Sequence, residues 1–121
     1  MPKKILLVDD DPKILTIEKT ILTQGGYTTE TALDGATALQ KVKSSQFDAI
    51  ILDILMPFMD GYAVAREVKK LESYQNTPII MVTAAQERDA LKQGFEAGAL
   101  VFMSKPFTAT RLLSVLNTVI K

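Results

Sequence analysis

Three consecutive aspartates, Asp9-Asp10-Asp11, follow an apolar stretch near the start of the chain, and Asp53 stands directly after the apolar run Ala49 to Leu52. Thr83 follows a similar run, Ile79 to Val82, and Ser104-Lys105 follows Leu100 to Met103. The chain has neither Cys nor His, which removes thiolate nucleophiles, disulfides, Cys/His zinc sites and Ser-His-Asp arrangements. Chemistry must therefore run on carboxylates, hydroxyls and amines. If Asp9, Asp10 and Asp53 stood within about 4 Å of one another, each pair would repel by roughly 4 kcal/mol at an effective dielectric near 20, and the cluster would ask for a cation. Oxygen ligands alone suit Mg²⁺, Mn²⁺ or Ca²⁺, and two or three carboxylates with room for water and a phosphate suit Mg²⁺ best. Three carboxylates and the Lys105 ammonium sum to −2, which Mg²⁺ brings to zero. A phosphoryl group could then approach, its oxygens shared between the metal, Lys105 and the Thr83 hydroxyl. Aspartate can form an acyl phosphate, and Asp53, alone at the end of a central run, is the expected nucleophile. No glycine-rich phosphate loop and no Gly-Lys-Ser/Thr occurs, so ATP is not expected as the direct donor. The donor is small or is another protein's phosphorylated side chain, and a phosphohistidine must be supplied in trans.

The runs preceding these groups determine where they stand. Ile5 to Val8, Ala49 to Leu52 and Ile79 to Val82 are short, rich in Ile, Leu and Val, and lack alternation, as strands buried on both faces do. Tyr27 to Ala32 is Thr-rich and carries Glu30, which suits a partly exposed edge, and Leu100 to Met103 reads as a fifth strand. Helical patterns lie between. The first starts at Asp11 as N-cap with Pro12 in its first turn, places Ile14, Ile17, Ile21 and Leu22 on one face, and ends at Gly25-Gly26. Asp34 caps a second that buries Leu39 and Val42. A third runs from Tyr62 to Leu71 with Val64, Val68 and Leu71 inward, and a fourth from Gln86 to Ala97, closed by Gly98. In the fifth, Thr108 is the N-cap, Phe107 can staple to Leu112, and Leu112, Val115, Leu116, Val119 and Ile120 form the apolar stripe. Five strands alternating with five helices predict a doubly wound α/β fold: a parallel sheet of order 2-1-3-4-5, flavodoxin-like, with ligands beyond the carboxyl ends of its strands.

At 121 residues, 47% apolar and 23% charged, the expectation is one domain over 1–121 that needs no metal or disulfide to fold. Lys and Arg number 14, as do Asp and Glu, so there is no electrostatic footprint for direct nucleic-acid or membrane binding. Four apolar residues before the aspartates are too few for a signal peptide or a spanning helix, which predicts a cytoplasmic protein.

These residues resemble the receiver domains of two-component response regulators from Lys4 to Ile120. Ile-Leu-Leu-Val-Asp-Asp-Asp-Pro resembles the family's first strand and acid pair. Leu52-Asp53-Ile-Leu-Met-Pro57-Phe-Met-Asp60-Gly61 is similar to its phosphoacceptor motif, and Val82-Thr83-Ala84 and Ser104-Lys105-Pro106-Phe107 match its remaining signatures in order. The resemblance implies that Asp53 accepts a phosphoryl group from a histidine kinase or histidine phosphotransfer protein. It also implies that Asp10, Asp53 and the Leu55 carbonyl ligate Mg²⁺ directly while Asp9 acts through water. Lys105 pairs with the phosphate, Thr83 bonds it, Lys105-Pro106 is a cis peptide, and Phe102 is the switch aromatic. The downstream partner is an unknown protein or effector domain, reached through a remodelled surface of the fourth helix and fifth strand.

The chain also departs from the family pattern. Phe102 replaces the frequent Tyr, so an inward swing changes burial alone. Leu55 and Ala85 stand where polar side chains position the attacking water in the family, which predicts a long-lived phosphoryl group. Leu100-Val101 replaces frequent acids and leaves an apolar edge. Two other readings leave residues without a role. A phosphohydrolase using Asp9 and Asp11 has no cap domain and no use for Asp53, and a receiver-like module that is never phosphorylated has no use for Asp53, Thr83 and Lys105 together.

Overall fold

The structure, a computed structural model, describes residues 2–83 and 88–120. Five strands, β1 (Lys4–Val8), β2 (Thr28–Ala32), β3 (Ala49–Asp53), β4 (Ile79–Thr83) and β5 (Val101–Ser104), form one parallel sheet in the order β2-β1-β3-β4-β5. The helices are α1 (Pro12–Gln24), α2 (Gly35–Ser44), α3 (Gly61–Lys69), α4 (Arg88–Ala97) and α5 (Ala109–Val119). A 3₁₀ turn at Glu72–Tyr74 leads into β4. Predicted fold class and strand order are both present, although Asp53 and Thr83 end their strands where the sequence places them one step beyond.

Period-two alternation divides the central strands between two cores. Ile5, Leu7, Ala49, Ile51, Ile80, Val82 and Met103 face α1 and α5, whereas Leu6, Val8, Ile50, Leu52, Ile79 and Met81 face α2, α3 and α4. Both faces are covered, so every residue of β3 and β4 is buried. The helices start where side chains can cap them: Asp11 accepts from the Lys13 amide, Asp34 from Thr37, Asp60 from Ala63 and Thr108 from Arg111.

The inward face of α1 differs from the expected one. Leu15, Glu18 and Leu22 are buried, Ile14 and Ile21 are half-buried, and Ile17 is 54% exposed. The isoleucine count suggested a stripe one position out of phase, because a buried carboxylate violates the apolar pattern on which periodicity depends. In α2, Val42 is buried and Leu39 packs at the core margin. Helix α3 stops at Lys69, leaving Leu71 beyond it but still against the core. Helix α4 is described from Arg88, and Gln86 lies outside the described residues.

Candidate functional site

The alternation that builds the α1/α5 core also assembles the polar groups. Asp9 is two residues past Leu7, Asp53 two past Ile51 and Lys105 two past Met103, and all three predecessors belong to that core. Continuing the pleat therefore turns two carboxyls and an amine toward the same side at the carboxyl edge of three strands. Asp9, Asp10 and Asp53 each offer a carboxylate oxygen, and these oxygens lie within 4.8 Å of one another. Lys105 Nζ donates to Asp9 Oδ2 at 2.8 Å and lies 3.4 Å from Asp53 Oδ1. Asp9, Asp53 and Thr83 are buried, while Asp10 faces solvent.

Local geometry fixes each group. Asp9 Oδ1 accepts from the Asp11 amide at 2.9 Å, turning its other oxygen toward Lys105. Lys105 is held by its own amide, which donates to the Thr83 carbonyl at 2.9 Å, and the Lys105-Pro106 peptide is cis, as the resemblance implies. Gly61 opens α3 against the end of β3: its amide donates to the Ile54 carbonyl at 2.9 Å, and a β-carbon there would collide with the Asp53 carbonyl oxygen. Only glycine lets the helix start this close.

The electrostatics follow from burial and like charge. Burial, then the Asp9 carboxylate, push Asp53 up to about 6, with Lys105 opposing and Asp10 adding to the rise. Burial works against the Lys105 ammonium, but its bonds and charge interactions with Asp9 and Asp53 outweigh it and leave Lys105 raised. A single ammonium among three carboxylates leaves a pocket rich in oxygen donors and short of positive charge, the condition that suits a hard divalent cation.

Thr83 ends β4 and, by alternation, shares a sheet face with Met81, whose register partner is Phe102. Phe102 is half-buried on the α4 side and meets Phe95 edge-on at 5.2 Å between ring centroids. Leu55 is 61% exposed. Ala85, the other residue expected to affect phosphoryl lifetime, and Ala84 lie outside the described residues.

Sequence reasoning missed Glu18. It is 2% exposed, its Oε1 has no hydrogen-bond partner among the described residues, and it interacts electrostatically with Asp9, Lys105 and Asp53. Burial first and Asp9 next raise its carboxyl to about 8. Its signal in the sequence is position, three residues after Leu15 and four before Leu22.

A phosphoacceptor-type acid pocket at the switch point of a five-stranded parallel sheet defines a class of signalling domain, and comparison with known proteins names it. Residues 5–117 match the model of the response regulator receiver domain, and the chain belongs to that family. It is 39% identical over 108 residues to the Bacillus subtilis alkaline phosphatase synthesis transcriptional regulatory protein PhoP, covering 89% of this chain and 44% of that protein. It is 34% identical over 121 residues to response regulator MprA of Mycolicibacterium vanbaalenii, covering 100% of this chain and 52% of the relative. The chain thus spans about half the length of these relatives. The Vibrio cholerae chemotaxis protein CheY4 superposes with a TM-score of 0.96 at 36% identity, over 99% of this chain and 100% of that one. The receiver domain of sensor histidine kinase PA1611 from Pseudomonas aeruginosa superposes at 0.90 with 30% identity, over 98% and 97% of the two chains, and holds a magnesium ion in its active-site cleft. The protein is therefore a receiver domain of the two-component signalling type. Among the described residues, no helix is long and apolar enough to cross a membrane.

Proposed function

We propose that Asp53 accepts a phosphoryl group from the phosphohistidine of a histidine kinase or histidine phosphotransfer protein, and that the resulting acyl phosphate switches a protein-binding surface. The observation that carries this reading is the Lys105 ammonium, 2.8 Å from Asp9 and 3.4 Å from Asp53, in a pocket where three carboxylates converge. A carboxylate oxygen of Asp53 attacks phosphorus, the O–P bond forms as the N–P bond breaks, and the imidazole nitrogen of the donor keeps the electron pair. Asp10, Asp53 and the Leu55 carbonyl are the proposed direct ligands of Mg²⁺, with Asp9 acting through water. The ion supplies charge neutralisation at the phosphoryl oxygens. Lys105 pairs with the incoming phosphoryl group and the Thr83 hydroxyl bonds it. The chain catalyses only its own phosphorylation and dephosphorylation.

Output follows from the shared sheet face. When Thr83 is drawn toward the phosphoryl group, the segment after β4 shifts and Phe102 changes its burial, remodelling the α4–β5 surface for a downstream protein or effector domain. Moving such an equilibrium from 1:99 to 99:1 requires about 5.5 kcal/mol, which a few charge-assisted bonds of about 1.5–3 kcal/mol each can supply. Intact-protein mass after incubation with acetyl phosphate tests the reading. We expect a single Mg²⁺-dependent gain of about 80 Da, one phosphoryl group, that is absent from Asp53→Asn. Retained labelling in that variant refutes the assignment of Asp53.

A further inference from the structure

The segment between β3 and α3 separates its side chains in an unusual way. Ile54 and Met56 are buried and Met59 packs against the same core, so the segment is anchored at three points. Leu55 and Phe58 point the other way: Leu55 is 61% exposed and the Phe58 ring is completely exposed. Phe58 also has a φ of 70°, a left-handed conformation that glycine or asparagine adopts far more readily. The Met59 amide donates to the Pro57 carbonyl at 2.8 Å, so Phe58 is the central residue of a tight three-residue turn of the strained kind. The chain thus holds a large apolar ring in water on a disfavoured backbone, and among the described residues no contact of the ring compensates either feature.

Position indicates what compensates them. The segment starts immediately after Asp53 and is folded back onto its own start, the Gly61 amide donating to the Ile54 carbonyl at 2.9 Å, so residues 55 and 58 stay near the end of β3 that carries Asp53. On the α1 side the pocket is bordered by half-buried Ile14, exposed Ile17, Pro106 and Phe107, which with Lys105 line a cavity of about 360 Å³. Apolar side chains therefore stand beside Lys105 on one segment and two and five residues past Asp53 on another. A small phosphodonor can enter without touching either, but a histidine side chain must be delivered to buried Asp53 by a surface lying across the pocket mouth. That surface covers residues 55 and 58.

We infer that Phe58, flanked by Leu55, is an anchor for the protein phosphodonor, its ring inserting between apolar side chains beside the donor's phosphohistidine. This rests on Asp53 being the phosphoacceptor. The turn presets the backbone that carries the ring, so little backbone freedom is lost on docking.

The test uses the full chain and the variants Phe58→Gly and Phe58→Asn, which both suit the left-handed backbone and both remove the ring. Phosphoramidate serves as small donor. The protein donor is whichever of a panel of autophosphorylated histidine kinases labels the unaltered chain fastest. We expect both variants to keep the phosphoramidate rate within about twofold and to lose roughly tenfold or more in kcat/KM from the kinase, chiefly through KM. Unchanged transfer from the kinase overturns the inference. An equal loss with both donors overturns it too, since the segment would then act on the pocket and not on docking. If the unaltered chain takes no label from either donor, the Asp53 reading fails first and docking falls with it; labelling by phosphoramidate alone overturns docking by itself.

Discussion

The ring of Phe102 lies so close to the backbone of Gly94 that a β-carbon at residue 94 would overlap the ring's Cζ and crowd Met81 Sδ. Glycine inside a helix ordinarily weakens it, by about 1 kcal/mol relative to alanine, so its presence in α4 is explained by the ring it accommodates. Gly94→Ala gains helix propensity but overpacks this site. We expect a net loss of about 1–2 kcal/mol in chemical denaturation. In a Phe102→Ala background the same change becomes neutral or stabilising. Equal effects in both backgrounds would show that Gly94 does not serve the ring.

Glu18 gives the fold a pH dependence of defined sign. Its carboxyl, near 4.5 in an unfolded chain, is held at about 8 in the fold. The folded state keeps the proton that the unfolded state releases, so the contribution is complete below about 4.5 and is lost as pH rises through 8. At about 1.4 kcal/mol per pH unit this amounts to roughly 5 kcal/mol over the window. Thermal unfolding at pH 5, 7 and 9 should show Glu18→Gln losing less stability with rising pH than the unaltered protein. Parallel curves would mean that Glu18 does not carry this proton.

Leu55, two residues after the proposed phosphoacceptor Asp53, has an exposed apolar side chain that cannot orient a water molecule. Label on Asp53 should therefore persist for minutes or longer after the donor is removed, and Leu55→Asn should shorten its lifetime by about tenfold. Mass spectrometry along the decay reads both. Loss within seconds from the unaltered protein would contradict the argument.

Thr83 is expected to separate phosphorylation from its consequence. Thr83→Ala keeps the carboxylates and Lys105, so labelling by acetyl phosphate continues. The phosphorylation-dependent change in amide exchange at Val101–Ser104 disappears. A full response in the variant would remove Thr83 from the switch.

Much of this was legible because the polar groups follow apolar runs of one kind. Ile5–Val8, Ala49–Leu52 and Ile79–Val82 are buried on both faces, and this pattern, with the Thr-rich edge strand, gave the sheet order and hence the rim where Asp9, Asp10, Asp53 and Lys105 meet. Asp11, Asp34 and Thr108 are caps because their side chains must satisfy free amides, a local requirement that sequence displays. Asp60 does the same and went unread because Asp60-Gly61 also reads as a turn. What failed is tertiary in origin. Glu18 breaks the helix pattern it belongs to, Gly94 is explained only by a ring on another element, and nothing local to phenylalanine announces a left-handed φ at Phe58.

The turn around Phe58 also bears on how the chain meets proteases. A fully exposed phenylalanine is an inviting target for an enzyme that cleaves after aromatic residues, yet such enzymes bind their substrates extended. Here the peptide is folded back by the Met59–Pro57 hydrogen bond and closed at its base by the Gly61–Ile54 hydrogen bond. Cleavage after Phe58 thus requires the segment to open first, and a cut there would part the strand carrying Asp53 from the helix that starts against it. The rate of that single nick is a direct readout of how often this corner of the molecule opens.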